Sequence, residues 1–385
     1  MSESITIHPS EATLYFPLEE CNGKVGRKVY ISQLEETALC NSYNKLVIDF
    51  CLEWQSSKDE FIVHTSGSTG IPKPISLSRK QMQNSVEATA KALNLKHNER
   101  FLICLNAEYI AGIMMLVRGM ELNAEMVVVP PKRNPLEDFD ENMWFDFAAF
   151  VPMQLQAILE ETPEKIAILR QMKAIILGGA PVSYSLLKKI RSIKALQRVP
   201  IYATYGMSET VTHIALKRLN GKKEISERYK TLPNVKIKTD ERNCLVISAP
   251  HTLGKEIITN DLVTIKSPNE FEWLGRADFV INTGGVKVFP EKVEQVVERA
   301  FYELALQKRF FVGSVSDEIV GEKVVLIVEG IPFSKSFENE LMTHLKNNLP
   351  NYHAPKQFFY LSNFALTKTD KIDRKKCMEL VFEVD

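Results

Sequence analysis

The segment Thr65-Ser66-Gly67-Ser68-Thr69-Gly70-Ile71-Pro72-Lys73 carries chemistry suited to phosphate. Gly67 and Gly70 let backbone N–H groups approach an anion closely, the hydroxyls of Thr65, Ser66, Ser68 and Thr69 add donors, and Lys73 supplies a positive charge. The Gly-x-x-x-x-Gly-Lys-Ser/Thr spacing of the common P-loop is absent. A second group, Tyr202-Ala203-Thr204-Tyr205-Gly206-Met207-Ser208-Glu209-Thr210, sets aromatic rings, a glycine turn and a carboxylate within nine positions. Such a ring can stack on a purine, and Glu209 can hold Mg²⁺ beside phosphate oxygens. A third is Arg118, at the end of the apolar run Ile110-Ala111-Gly112-Ile113-Met114-Met115-Leu116-Val117. If buried, its charge needs a partner, because an unpaired internal charge is expensive. A substrate carboxylate would serve, and so would Glu121 or Glu125 or a snorkelled route to the surface.

The elements that must hold these groups follow an α/β pattern. The first loop follows the apolar run Phe61-Ile62-Val63 and precedes a helix opened by the capping-box pair Ser78 and Gln81 and running to about Leu93. Buried strands are expected at Phe101 to Leu105, Met126 to Val129, Ala148 to Val151 and Ala174 to Leu177. Ser183 opens a helix with the apolar face Leu186, Leu187, Ile190 and Ile193. From Val235 to Trp273 short alternating segments suggest a small β-rich part. Beyond Leu274-Gly275-Arg276-Ala277-Asp278 come a strand near Phe279 to Ile281, a Gly284-Gly285 turn, a helix opened by Pro290, strands at Phe310 to Val315 and Lys323 to Val328, and a helix near Phe337 to Leu349.

The expected architecture is therefore α/β: a large N-terminal domain over 1–275, with an α/β core at 61–200 and a β-rich part at about 201–275, then a smaller C-terminal α+β domain over 279–385. At 385 residues, two domains are the natural division. Forty-eight basic and 48 acidic residues cancel, so no global field draws the chain to nucleic acid or an anionic membrane. Cys21, Cys40, Cys51, Cys104, Cys244 and Cys377 lack Cys-x-x-Cys spacing and read as reduced structural thiols. His64 and His213 have no partners at ligand spacing, which argues against zinc. The N-terminus has no basic-then-apolar start and no apolar run reaches membrane-spanning length, so a cytoplasmic protein is expected.

Thr-Ser-Gly-Ser-Thr-Gly-x-Pro-Lys and Tyr-Gly-Met-Ser-Glu-Thr resemble two core motifs of the adenylate-forming superfamily: acyl-CoA synthetases, peptide-synthetase adenylation domains and luciferases. Further segments match in order, so the resemblance covers about residues 61 to 380. It implies a fold with a mobile C-terminal domain and a Mg·ATP-dependent ligase that joins a carboxylic acid to CoA through an acyl-adenylate. By this likeness Thr65 to Gly70 with Lys73 clamp the outer phosphates, and Gly178, Gly179, Ala180, Tyr205, Gly206 and Ser208 line the nucleotide. Asp261 takes the ribose hydroxyls, Arg276 lies near ribose or phosphate, and Glu209 holds Mg²⁺. Residues 276–278 form the hinge with Asp278 as pivot, Gly284, Gly285 and Lys287 serve thioester formation, and Lys371 assists adenylation. Taken singly, Asp261, Arg276 and Lys371 would read as solvated surface charges; the ordered series gives them a common role.

For the acid, the Ile110–Arg118 stretch resembles the acyl-pocket helix of the o-succinylbenzoate-CoA ligases of menaquinone biosynthesis. Arg118, with Thr212 and His213, would then hold a second substrate carboxylate, and Tyr109 would line the acyl site. The chain departs from the family pattern in a short region before Phe61, in Ala107-Glu108-Tyr109, and in Asp370 where a glycine normally precedes the lysine. Loading of a carrier-protein thiol, activation of another acid, and a non-catalytic nucleotide-binding regulator are the alternatives; a homodimer is left open.

Overall fold

The computed structural model describes residues 12–21, 24–33, 42–64, 74–221, 225–367 and 372–383. The chain opens with β1 (Thr13–Cys21), β2 (Lys24–Tyr30), α1 (Ser42–Gln55), β3 (Glu60–His64), β4 (Pro74–Ser78), α2 (Arg79–Leu93), β5 (Arg100–Ile103), α3 (Ile110–Glu121) and β6 (Glu125–Val128). It continues through β7 (Phe147–Phe150), α4 (Pro152–Glu161), α5 (Ile166–Leu169), β8 (Ala174–Leu177), α6 (Tyr184–Ser192) and β9 (Ile201–Gly206). Then come β10 (His213–Arg218), β11 (Tyr229–Thr231), β12 (Lys236–Thr239), β13 (Cys244–Ser248), β14 (Ile257–Ser267) and β15 (Glu270–Arg276). The C-terminal part comprises β16 (Ile281–Thr283), β17 (Val286–Val288), α7 (Pro290–Glu303), β18 (Phe310–Asp317), β19 (Gly321–Glu329), α8 (Lys335–Asn348), β20 (Gln357–Leu361) and α9 (Arg374–Glu383).

One 13-stranded sheet runs β12-β13-β14-β15-β11-β10-β9-β8-β7-β5-β6-β1-β2. Its middle, from β1 through β6, β5, β7 and β8 to β9, is parallel. These strands carry runs such as Ala174-Ile175-Ile176-Leu177, apolar on both faces because helices cover both sides. Two hydrophobic clusters result. One sets α2 and α3 against the sheet through Met82, Val86, Met114 and Val117; the other holds Leu155, Ile158, Leu186 and Ile190. The β-rich stretch continues the same sheet antiparallel, from β10 outward. The C-terminal part has its own sheet of β16 to β20, with β20 parallel to β19, and a core around Val293, Val297, Leu326 and Leu341.

The helix starts follow their local chemistry. Ser78 caps α2 by accepting from Gln81 N–H while the Gln81 side chain answers to Ser78 N–H, and Asn94 closes the helix in the left-handed conformation. Ser183 caps α6 through Leu186 N–H. One expectation changes. The Thr65–Lys73 segment leads into β4, which pairs antiparallel with β3, and α2 begins only after that strand. Pro74-Ile75-Ser76-Leu77-Ser78 alternates in a way that suits a hairpin, with Leu77 buried and Ser76 bonded to Glu60. A strand, β4, thus stands between β3 and α2 where a direct strand-to-helix step was expected.

Candidate active site

The site is built at the C-terminal ends of neighbouring parallel strands, where open α/β sheets place their ligands. β8 runs into Gly178-Gly179-Ala180, and β9 beside it ends in Tyr205-Gly206. A Cβ on Gly178 would lie 2.8 Å from Thr204 Oγ1, and Gly179 has φ +82, so a larger residue would crowd or strain this edge. The constraint on Gly206 is harder. A Cβ there would sit 2.3 Å from Thr212 O and 2.4 Å from His213 Cα, so only glycine lets β9 close against the start of β10.

Between those strands the chain makes a 3-10 turn, Ser208–Thr210, and then a tight reversal. Val211 adopts φ 63 and ψ −60, and Thr212 N–H donates to Thr210 O at 2.6 Å. This is a γ-turn of the rare positive-φ kind, on a β-branched residue, and such backbone strain is of order 1–3 kcal/mol. Thr210 braces it, since its Oγ1 accepts from Met207 N–H at 3.0 Å and donates to Thr212 O at 2.8 Å. As a result Glu209 is exposed while His213, four residues on, is buried.

On the outer side, β14 and β15 pair so that Asp261 faces Arg276. The Asp261 carboxylate is 8% exposed; it accepts from Tyr205 OH at 2.7 Å and Trp273 Nε1 at 3.2 Å, leaving lone pairs for further donors. The Tyr205 phenol is raised above its usual range, first by burial and then by the Asp261 charge. Its ring packs edge-on against Phe271 at 5.2 Å. Arg276 Nη2 reaches Asp278 at 2.7 Å. Burial opposes the Arg276 charge, but the Asp278 hydrogen bond and the charges of Asp261 and Asp278 hold it above its ordinary value.

On the inner side α3 carries Arg118 into the core at 3% exposure. Neither carboxylate expected from the sequence meets it. Glu121 is bonded by Trp54 and Gln83, and Glu125 pairs with Lys28 and Arg100. Arg118 Nη2 has only Thr212 Oγ1, at 3.4 Å, and its Nε has no partner among the described residues. Burial lowers the guanidinium pKa to about 10. Thr212 is held by Ser85 at 2.8 Å, and His213 Nε2 lies 3.3 Å from Thr89 Oγ1. Burial, then the charges of Arg118 and His251, depress His213 well below the usual imidazole range. His251 comes from the 3-10 turn Pro250–Thr252; it is fully buried, neither ring nitrogen has a partner among the described residues, and burial lowers it to about 4.

Thus Arg118, Thr212 and His213 are brought together, and Ser85, Thr89 and His251 join them. The sequence offered one signal for the first two: Gln81, Ser85 and Thr89 recur every fourth residue among the apolar positions of α2, one polar stripe on a core-facing helix. Tyr109 stands apart. It precedes α3, nine residues or about 13 Å along the helix from Arg118, half exposed in an open cleft of about 800 Å³ with Leu46, Phe50 and Ile62. Thr65, Ser66, Gly67, Ser68, Thr69, Gly70, Lys73 and Lys371 lie outside the described residues.

The model of the AMP-binding enzyme family matches residues 18–255. The chain belongs to that family. An acyl-CoA synthetase (AMP-forming)/AMP-acid ligase II-like protein from Dyadobacter fermentans is 41% identical with a TM-score of 0.62, over 91% of this chain and 97% of that one. The 2-succinylbenzoate–CoA ligase of Lactococcus lactis is 22% identical over 86% of this chain and 74% of its own length. The D-alanine–D-alanyl carrier protein ligase of Bacillus mycoides is 25% identical, over 83% and 70%. The o-succinylbenzoate-CoA synthetase of Bacillus subtilis shares the fold, with a TM-score of 0.64 at 22% identity over 82% and 68%. The chain is therefore an adenylate-forming ligase.

In this AMP-binding enzyme the C-terminal part meets the large sheet through α7. Glu291 Oε1 accepts from Arg276 N–H at 3.3 Å, Lys292 pairs with Glu272 at 2.9 Å, and the rings of Tyr302 and Tyr184 lie 5.4 Å apart. Gly275 has φ +156, and a Cβ there would sit 2.3 Å from Glu291 Oε2. Asp278 is exposed in the turn Ala277–Phe279. Gly284 and Gly285, at φ +56 and +79, make the two-residue turn between β16 and β17, where Lys287 is exposed. Among the described residues no group of three or more His, Cys, Asp or Glu could hold a metal by itself, and no helix is long and apolar enough to cross a membrane.

Proposed function

We propose that this adenylate-forming ligase uses Mg·ATP to activate a dicarboxylic acid and transfers its acyl group to CoA, with o-succinylbenzoate, a precursor of menaquinone, as the preferred acid. A carboxylate oxygen attacks the α-phosphorus, pyrophosphate leaves, and the CoA thiol then displaces AMP from the acyl carbon. Like charges crowd in the first step. Thr65 to Gly70, Lys73 and Lys371 would offset them with hydrogen bonds and positive charge. Glu209 is exposed and has no hydrogen-bond or ion-pair partner among the described residues, which suits Mg²⁺, since that ion commonly takes one carboxylate with substrate phosphates and water. Bound there, Mg²⁺ would supply Lewis-acid polarisation of the phosphate oxygens. Asp261 keeps free lone pairs for a ribose diol, with Tyr205 orienting it, and Arg276 stands opposite. Gly178, Gly179, Ala180, Gly206 and Ser208 would bound the base and acyl carbon. The 279–385 part would turn about Asp278 to exchange Lys371 for Gly284, Gly285 and Lys287.

The observation that carries the choice of acid is Arg118, a buried guanidinium without a carboxylate partner among the described residues. The second carboxylate of the substrate would provide one, with Thr212 and His213 beside it. The carrier-protein ligases among the relatives favour a second reading, in which D-alanine is loaded on a carrier thiol. A buried cation at the acyl end disfavours an amino acid, whose ammonium would be repelled. Pyrophosphate release over a panel of acids, with and without CoA, tests the proposal. Release with o-succinylbenzoate and formation of its CoA ester are expected. Release with D-alanine alone, or with no acid, would overturn it.

A further inference from the structure

We propose that His251 is a specificity-determining residue that donates its ring N–H to the non-reacting carboxylate of the acid, beside Arg118. The inference rests on the dicarboxylate reading above and deepens it. His251 lies in the connection between β13 and β14, outside every motif of the sequence. Its backbone is held by α2 at two points: Gln81 Nε2 donates to His251 O at 3.2 Å, and Asn84 Nδ2 donates to Pro250 O at 2.9 Å. Thr252, which follows it, accepts from Ala249 N–H at 3.1 Å. The turn is therefore rigid, and its imidazole is fully buried.

A neutral imidazole carries one N–H donor and one acceptor, and here neither has a partner among the described residues. A buried polar group left unpaired costs about 1–3 kcal/mol, and native folds rarely keep one without a reason. Arg118, from a different element, also leaves its Nε–H unpaired among the described residues. Arg118 Nη2 reaches Thr212, the residue before His213, at 3.4 Å. The α2 stripe fixes the surroundings in order: Gln81 holds His251, Ser85 holds Thr212, and Thr89 holds His213.

The turn that carries His251 packs on α2 and on the Ser208–Thr210 turn, so two elements with unpaired buried groups border the stretch where the nucleotide motif turns inward. A carboxylate is acceptor-only with about four lone-pair sites, so it can take Arg118 Nε–H and an imidazole N–H together. An apolar acid end would leave both unpaired. Arg118 supplies charge and His251 supplies direction, and a site that hydrogen-bonds its ligand rejects an analogue lacking the acceptor far more strongly than one that only fits its shape.

The test measures kcat/KM by pyrophosphate release for o-succinylbenzoate and for the analogue in which the non-reacting carboxyl is replaced by hydrogen. His251→Leu should lower kcat/KM for the dicarboxylate by about 10- to 100-fold, mainly through KM, and change the analogue by no more than about 3-fold. His251→Asn, which keeps an N–H donor, should recover part of the loss. Arg118→Met in parallel separates the two ideas. If Arg118→Met fails to narrow the preference for the dicarboxylate, the reading of the acid itself falls. If Arg118→Met narrows it and His251→Leu does not, the present inference alone falls. Should His251→Leu not fold, ring-¹⁵N histidine spectra of the unaltered protein decide. The dicarboxylate should move the ring resonances that disappear in His251→Asn, and the analogue should not; unmoved resonances overturn the assignment.

Discussion

Replacing Arg118 with methionine should make the protein more stable and less active at once. The guanidinium is buried, its one described contact is the 3.4 Å approach to Thr212, and burial pulls its pKa from an ordinary 12.5 to about 10. At about 1.4 kcal/mol per tenfold change, keeping it charged without an anion costs about 3 kcal/mol. Methionine fills a similar path between α2 and the sheet and leaves Thr212 on Ser85. Buried charges replaced by apolar side chains of similar volume often leave a fold unchanged or stabilise it by about 1–4 kcal/mol. We expect a gain of about 1–3 kcal/mol, read as a rise of about 1–5 °C in the melting midpoint of a chain of this size. The dicarboxylate should raise that midpoint in the parent and fail to do so in Arg118→Met, because only the parent has a charge for it to meet. Turnover of the dicarboxylate should fall by about 100-fold, the scale set by losing a charged hydrogen bond to the ligand. Melting scans with and without acid, together with pyrophosphate release, give all three numbers. A loss of several kcal/mol with equal loss of activity toward every acid would refute the reasoning, because it would mean that Arg118 is paired within the folded chain.

The remaining expectations concern pH, the glycine turn and Lys371. His251 falls from 6.5 to about 4 on burial, so the fold favours its neutral form; that stability is full above pH 6.5 and is lost as pH falls toward 4, by about 3 kcal/mol. His251→Asn should flatten the decline in urea-unfolding free energy between pH 7 and 4, and an unchanged slope would show that this imidazole is not the group titrating. Gly206→Ala forces a methyl to 2.3 Å from Thr212 O and should cost more than about 2 kcal/mol along with most of the activity; a fully active, equally stable variant would dismiss the close approach of β9 and β10. Lys371→Ala should suppress adenylation, measured by pyrophosphate exchange, while thioester formation from supplied acyl-adenylate persists, and loss of both steps would count against domain alternation.

Local signals placed the helices well. The capping pair Ser78 and Gln81 and the cap Ser183 fall where the sequence sets them, because a cap depends on residues three apart. Four parallel strands were legible as short apolar runs. β4 was not, since its proline and two serines read as loop, and the pairing that makes it a strand comes from β3 across the hairpin. The β-rich stretch was legible as strands but not as part of the same sheet, a fact that depends on β10 meeting β9 and β11 meeting β15. The same limit applies at the acid end. Arg118 announced itself by sitting in an apolar run, whereas Ser85, Thr89 and His251 make contacts 127, 124 and 170 positions away along the chain, and no motif carries such information.

The strip from Tyr205 to His213 explains why both ends of the site depend on one strained turn. Tyr205 binds Asp261 on the outer side, and Thr212 and His213 meet Arg118 and α2 on the inner side. Eight residues separate these contacts, too few for a relaxed loop to turn Glu209 outward and His213 inward, so the reversal falls on Val211 at φ 63. Glycine would relieve that strain, but Val211 is wholly buried in the main core, and removing its side chain would open a cavity there. The packing thus holds a backbone conformation that the residue by itself disfavours. In the proposed site, a carboxylate on Arg118 beside Thr212 would bear on the same short segment that carries Glu209 and Tyr205. On the proposed assignment, selectivity for the acid and placement of the nucleotide groups would be mechanically joined, and a change on the inner face of the strip should alter nucleotide affinity even where no nucleotide contact is touched.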